Sequence, residues 1–437
     1  MLYWQENYWK GTGYLVMKLY IDPGTGSMLF AILIGIIGAL GYLAKELFVK
    51  LRFLLSGGKK VEGNSNKLPY VIFSDHKRYW NVFEPICREF DRRGIDVTYM
   101  TASPDDPALE TKLAHVKPLF IGEGNKAFAK LNFLNACVVL STTPGLDVYQ
   151  WKRSKRADYY VHIQHAAGEI VGYRMFGLDY YDAVMLSGEY EERDIRALEA
   201  MRGLPAKELP MIGIPYMDEM AARLAAAPAP AEHETTVLLA PSWGPSAILT
   251  KYGAKMIDTL LATGYRIIIR PHPQSFTSEK DMLDALMQQY PDSDRLTWNR
   301  DNDNFDVLRS ADLLISDFSG VTFDFALIYD KPIIYADTEF DKGPYDAWWL
   351  DTPMWTFTAL PRIGEKLTPD NFGTLRELID RCLTDPRYAA GRAEVRAETW
   401  AYPGEGAKRA VDYLEGKYAA LNAETGKASE AQPAAVN

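Results

Sequence analysis

From Lys67 onward the chain repeats one pattern: a short apolar run stops at polar, Gly- or Pro-marked residues, and a polar or amphipathic stretch of crossover length follows. The runs are Tyr70–Ser74, Ile95–Met100, Lys117–Ile121, Cys137–Ser141, Tyr159–Gln164 and Ala183–Ser187, then Thr236–Ala240, Arg266–Arg270, Asp312–Ser316 and Pro332–Tyr335. Continuous apolar runs of this length suit strands buried on both faces, and crossover-length connections suit parallel pairing. The pattern therefore predicts an α/β fold built on parallel sheets covered by helices on both sides.

The alternation is interrupted once, at Ala225-Ala-Ala-Pro228-Ala-Pro230-Ala-Glu-His-Glu234, which is rich in Ala and Pro and has no apolar period. This reads as a linker between two Rossmann-like domains that face each other across a cleft. The expected organisation is a basic, membrane-directed segment over 1–66, a first domain over 67–224, a linker over 225–234, a second domain over 235–420 and a disordered tail over 421–437. The tail's Ala, Glu, Ser, Gln and Pro give it nothing to bury.

Residues 27–44 carry no charge. As a helix, about eighteen residues rise about 27 Å, close to the hydrocarbon thickness of a bilayer. Gly35, Gly38 and Gly41 are tolerated in lipid, where they allow close helix contact, and are costly to a helix in water. Lys45, Lys50, Arg52, Lys59 and Lys60 follow the stretch, against Lys10 and Lys18 before it, which places the C-terminal part on the cytoplasmic side. A signal peptide is disfavoured because no basic region directly precedes the stretch and no small-residue cleavage site follows it. A buried or interfacial helix is the remaining alternative to a transmembrane or membrane-inserted anchor.

A net charge of −10 argues against non-specific nucleic-acid binding. Cys87, Cys137 and Cys382 are scattered without metal-ligand spacing and read as buried thiols of a reducing compartment. No intact Gly-x-Gly-x-x-Gly follows a strand, and there is no Gly-Lys-Ser/Thr phosphate loop.

Chemistry is expected where strands end, because ligands of open parallel sheets sit at the carboxyl edge. Ile-Ile-Ile-Arg270-Pro271-His272-Pro273 gives a forked cation and an imidazole on a stretch stiffened by two prolines. Leu313-Leu-Ile-Ser316-Asp317-Phe318-Ser319-Gly320-Val321-Thr322-Phe323-Asp324 runs from a strand into a helical pattern. Ser319 or Asp317 is expected to cap that helix, leaving the amides of Gly320, Val321 and Thr322 for an anion. An ionised Asp317 repels a diphosphate, so it is expected to bond backbone amides or a ligand hydroxyl. Together these residues equip a site for a nucleotide diphosphate.

In the first half, Val161-His162-Ile163-Gln164-His165-Ala166-Ala167-Gly168 ends another run. His162 and His165, three apart on a strand, point to opposite faces. His165, at the strand end, is the candidate general base and His162 is expected to be structural. Asp301-Asn302-Asp303 sits in a polar turn and is not expected to hold a metal. The cluster Lys152-Arg153-Ser-Lys155-Arg156 reads as a solvated face with a weak claim on anionic lipid or a polyanionic acceptor.

These pieces resemble the CDP-glycerol:poly(glycerophosphate) glycerophosphotransferase family, the teichoic-acid primases and polymerases. The matching residues are Gln164-His165 with Tyr181-Asp182-Ala-Val-Met-Leu-Ser187, then Arg270-Pro-His272-Pro, then Ser316-Asp317-Phe-Ser319-Gly320-Val-Thr-Phe-Asp324. The chain departs from the family pattern twice: His-Gly-Thr-Pro is here His165-Ala166-Ala167-Gly168, and a paired serine is here Ser319-Gly320. The resemblance implies a membrane-associated transferase of GT-B architecture. His165 would deprotonate the acceptor hydroxyl, while His272 and Ser319 would hold the diphosphate of CDP-glycerol. Arg270, Ser316, Asp317, Gly320, Val321, Thr322 and Asp324 complete the expected donor site, with no metal or cofactor.

The expected activity is transfer of glycerol phosphate to a hydroxyl of a membrane-linked glycan or polyol phosphate polymer, with CMP released. Two other readings share the architecture: a glycosyltransferase using a UDP- or GDP-sugar, and a non-catalytic scaffold for surface-polymer assembly.

Overall fold

The computed structural model describes residues 67–228, 232–301, 303–336 and 338–430. The proposed anchor at 27–44 and residues 229–231 of the expected linker lie outside the described residues. Among the described residues no helix is long and apolar enough to cross a membrane.

The first sheet holds β1 (Leu68–Ser74), β2 (Val97–Thr101), β3 (Val116–Phe120), β4 (Ala136–Ser141), β5 (Ala157–Ile163) and β6 (Ala183–Met185). The second holds β7 (Thr236–Leu239), β8 (Arg266–Ile269), β9 (Leu296–Trp298), β10 (Leu313–Ser316), β11 (Ile333–Ala336) and β12 (Gly364–Leu367). Every pairing is parallel. The spatial orders are β3-β2-β1-β4-β5-β6 and β12-β11-β10-β7-β8-β9, so both sheets are doubly wound in the same way. Each reverses direction between its first and fourth strands, and loops leaving those strands diverge to open a crevice.

Each sheet is buried on both faces because its central strands are apolar at successive positions. In the first lobe, Val71, Phe73 and Val139 pack on one side while Ile72, Phe83, Ile86 and Phe90 pack on the other. In the second, Leu238, Leu314 and Ile333 face one layer and Val237, Leu239, Ile267 and Ile315 the opposite one. A fully buried side chain of this kind contributes about 1.5–3 kcal/mol. Cys87, Cys137 and Cys382 are free and buried.

Three boundaries differ from those read in the sequence. The helix Pro215–Ala226 runs two residues into the expected linker, its first turn favoured by a proline at the start. The final helix, Gly406–Glu430, begins inside the segment assigned to the second lobe yet packs on the first. Its Ala410, Val411 and Leu414 are buried in the same layer as Tyr70, Phe83 and Phe90. Arg93 pairs with Asp412 (2.7 Å) and with Glu415 of this helix. The same helix carries on through 421–430, where a disordered tail was expected, because the apolar stripe that docks its first turns lets helical hydrogen bonding propagate. Residues 431–437 lie outside the described residues.

The lobes are also joined through the segment after β11. Asp346 accepts from Phe176 N (2.7 Å) and from Arg202 (2.6 Å), and Thr356 N donates to Glu169 (3.1 Å).

Candidate active site

The carboxyl ends of the two sheets enclose a cleft of about 220 Å³. Arg78, Tyr79, His165 and Ala166 line it from the first lobe. Arg270, His272, Ser319, Gly320, Val321 and Asp324 line it from the second, with Tyr216 and Asn304 at the floor.

His165 lies two residues past the end of β5, where the chain has left the sheet and can turn toward the cleft. Its Nδ1 is 3.4 Å from Thr142 Oγ1, just past β4, and its ring meets Tyr79 edge-on at 5.2 Å. His162, still on β5, points into the first lobe, is fully buried, and contacts Tyr173 Oη through Nε2 at 3.1 Å. Gln164 is not available to a ligand: it donates to Glu191 at 2.5 Å. Glu191 also accepts from Ser187 N (2.7 Å) and Ser187 Oγ (2.9 Å), and burial pushes it up to about 8. This neutral acid fixes the two strand ends beside the cleft.

On the opposite wall, the Gln274 amide donates to His272 Nδ1 at 3.1 Å. A backbone N–H can only donate, so in the neutral ring the proton resides on Nε2. Arg270, largely buried, donates to Asn299 Oδ1. Ser319 and Gly320 come forward from the end of β10.

Ser316, Asp317 and Thr322, expected at the donor, do not reach the cleft. Ser316 Oγ donates to Ala240 O at 2.6 Å, stapling β10 to the end of β7. Asp317, fully buried, accepts from Ser242 N (2.8 Å), Ile248 N (2.9 Å) and Ser319 N (3.2 Å). Thr322 is fully buried and its amide donates to Ser319 O at 3.0 Å, so the expected anion-binding amide is already used. The helix also starts at Gly320 without a side-chain cap, because Asp317 is turned back to the β7 loop. It shifts into a π-helical turn over Asp324–Ile328. That turn carries Asp324 at the cleft, where one carboxylate oxygen is buried without a partner among the described residues and burial pushes its pKa up to about 7. π-turns recur at functional positions.

Asp303 pairs with Arg223 at 2.7 Å and accepts from Phe305 N, while Asn299 donates to Asp301. Asn302 lies outside the described residues. In the basic cluster, Arg153 is engaged by Asp182 and Tyr180 O, and Lys152 by Asp147 O.

Burial, then the positive charge of Arg78, holds His165 down at about 4. Burial, then Arg78, His165 and Arg270, holds His272 at about 4. Both rings are neutral at pH 7. Because an unfolded histidine titrates near about 6.5, the unfolded chain binds these protons more tightly, so stability is lost as pH falls from about 6.5 toward 4 and not above it. Side-chain NMR should therefore show neither ring titrating between pH 8 and about 5.5. A midpoint near 6.5 for either ring would contradict their burial.

Arg78, Tyr79, Tyr216 and Asn304 were not read from the sequence. Arg78 follows β1 closely, so the strand-end rule applied to the first run points to this turn without choosing among His76, Lys77 and Arg78. Tyr216 follows no strand, and Asn304 ends the loop after β9, a strand too short and polar to be read from the sequence.

The two departures from the family pattern meet across the cleft. A methyl group placed on Gly320 would stand 3.6 Å from both Ala166 Cβ and Ala167 O.

With this arrangement in view, likeness to known proteins can be stated. Residues 178–348 match the CDP-glycerol:poly(glycerophosphate) glycerophosphotransferase family. The matched span contains Arg270, His272 and the Ser319–Asp324 segment and begins after His165. Among curated proteins, no match was found. Among solved structures, the wall teichoic acid polymerase TagF, as a variant soaked with CDPG, aligns with TM-score 0.55 at 13% identity over 83% of this chain and 92% of that one. TagF without that soak gives 0.53 at 14% identity over 81% and 90%. A putative UDP-N-acetylglucosamine 2-epimerase from Listeria monocytogenes gives 0.51 at 11% identity over 80% and 96%. At these identities the likeness establishes a shared two-lobed fold and leaves the reaction to be argued from the site.

Proposed function

We propose that this chain transfers glycerol phosphate from CDP-glycerol to a hydroxyl of a membrane-linked glycan or polyol phosphate polymer. The observation that carries the reading is the meeting, in one cleft, of His165 from the first lobe with Arg270, His272 and Ser319 from the second. The family match over 178–348, which takes in Arg270, His272 and the Ser319–Asp324 segment, supports CDP-glycerol as the donor.

In the proposed reaction His165 donates Nδ1–H to Thr142 and accepts the acceptor's hydroxyl proton at Nε2. The oxygen so freed attacks the β-phosphorus in line. The bond from that phosphorus to the bridging oxygen breaks, and CMP leaves with the bonding pair. Positioning and charge stabilisation carry most of such a phosphoryl transfer. Arg270 and the His272 Nε2–H face the charge that develops on the leaving phosphate. The same reading places the catalytic lobes on the cytoplasmic side, held at the membrane by residues 27–44.

The test is a donor screen with product mass analysis. CDP-glycerol with a polyol phosphate acceptor should yield CMP and a product enlarged by one glycerol phosphate. Release of UDP or GDP from a sugar nucleotide, with CDP-glycerol inert, would overturn the reading in favour of glycosyl transfer.

A further inference from the structure

Arg78 stands apart from the groups so far given a role. It lies on the short turn Lys77–Tyr79 just past β1, at the point where the first sheet reverses its winding. The turn is held firmly: Lys77 N donates to Ser103 Oγ at 3.0 Å and Arg78 N to His76 Nδ1 at 3.2 Å. The guanidinium lies over the Tyr79 ring at 4.8 Å, at the wall of the cleft. Its Nε is buried and has no hydrogen-bond partner among the described residues. A buried donor is costly to leave unpaired, so the site favours something that accepts from it. Burial raises the Asp75 carboxyl, and the Arg78 charge offsets part of that rise.

Arg78 also acts on the imidazoles of both walls, His165 and His272. Arg78 lines the same cleft as both imidazoles, so its charge faces the space between the two lobes. A planar fork of donors suits phosphate better than a lysine would.

We propose that Arg78 is the first lobe's phosphate ligand, contacting the phosphoryl group in transit and stabilising the charge it carries in the transition state. The role rests on the phosphotransferase reading above. A phosphate in this place could also belong to the acceptor polymer, and the experiment separates the two sources.

The full chain and its Arg78→Gln variant are titrated with CMP and with CDP by calorimetry, then assayed with CDP-glycerol on a phosphate-bearing and on an uncharged polyol acceptor. CMP affinity should hold within about twofold, while the preference for CDP over CMP falls about tenfold, since only CDP carries the second phosphate. Turnover should fall about 10²- to 10³-fold on both acceptors. Added guanidinium should restore part of the activity of Arg78→Ala. An unchanged CDP-to-CMP preference overturns the assignment whatever the activity. So does a loss of turnover confined to the phosphate-bearing acceptor, or a collapse of CMP affinity together with the thermal midpoint. If wild-type protein ignores CDP-glycerol while the CDP preference still falls in the variant, the donor reading fails and the Arg78 site stands.

Discussion

Replacing His165 with Ala should lower the rate of transfer about 10³-fold while leaving CMP affinity within about twofold of wild type. His165 belongs to the first lobe and its ring contacts Thr142 and Tyr79, both also of that lobe, so its removal leaves the donor wall intact. His272→Ala should behave differently. The turnover loss is about 10²- to 10³-fold, but CDP-glycerol affinity falls as well, because in the proposed reaction Nε2–H faces the diphosphate in the ground state and the transition state alike. The two variants together therefore test which lobe serves which substrate. Both should fold: His165 makes one long polar contact at 3.4 Å besides the edge contact with Tyr79, and His272 is held through its backbone carbonyl to Ser275 N (2.9 Å) as much as through its ring. Near-normal turnover of CDP-glycerol in either purified variant would remove the proposed mechanism.

The parts legible in the sequence were those written in continuous apolar runs. The central strands of both sheets announce themselves because burial on both faces demands Val, Ile and Leu at successive positions, as in Leu313-Leu-Ile. β9 and β12 went unread. Each lies at an edge of the second sheet, and Leu296-Thr-Trp and Gly364-Glu-Lys-Leu are short and interrupted by polar residues that an edge strand can present to water. The packing of the last helix on the first lobe was equally hidden. Its amphipathic stripe says that a face is covered, and says nothing about by which lobe.

The site was legible in the same uneven way. Strand ends pointed to His165, Arg270, His272 and Ser319, all of which line the cleft. Within a single strand-end motif, however, spacing does not separate residues that face a ligand from those that hold the motif together. Ser316 and Asp317 precede Ser319 by only a few positions, yet both are fully buried and turned toward the β7 side of the sheet. Arg78 shows the converse. Its neighbours His76 and Lys77 look equally reactive in sequence, and only the three-dimensional turn brings one of the three to the cleft beside His165.

Asp317→Ala should be the most destabilising change at the site, costing about 3–5 kcal/mol and taking CMP binding with it. The carboxylate is fully buried, and burial raises it only to about 6, so it is ionised at pH 7. Its charge is held by three amides, from Ser242 and Ile248 after β7 and from Ser319 after β10. These loops flank the point at which the second sheet reverses direction, and Asp317 is the acceptor that ties them. Truncation to Ala would leave three donors facing a void, and the Ser319–Gly320 edge would no longer be fixed against the Ala240–Pro241 edge. Asn, which keeps one oxygen, should recover part of the stability but presents an amide N–H₂ to at least one donor. Thermal melts and CMP calorimetry on both variants give the readout. If Asp317→Ala melts within a degree or two of wild type but loses CMP, the carboxylate touches the ligand directly. If melt and binding fall together, and Asn restores both in parallel, its work is to hold the donor edge in place.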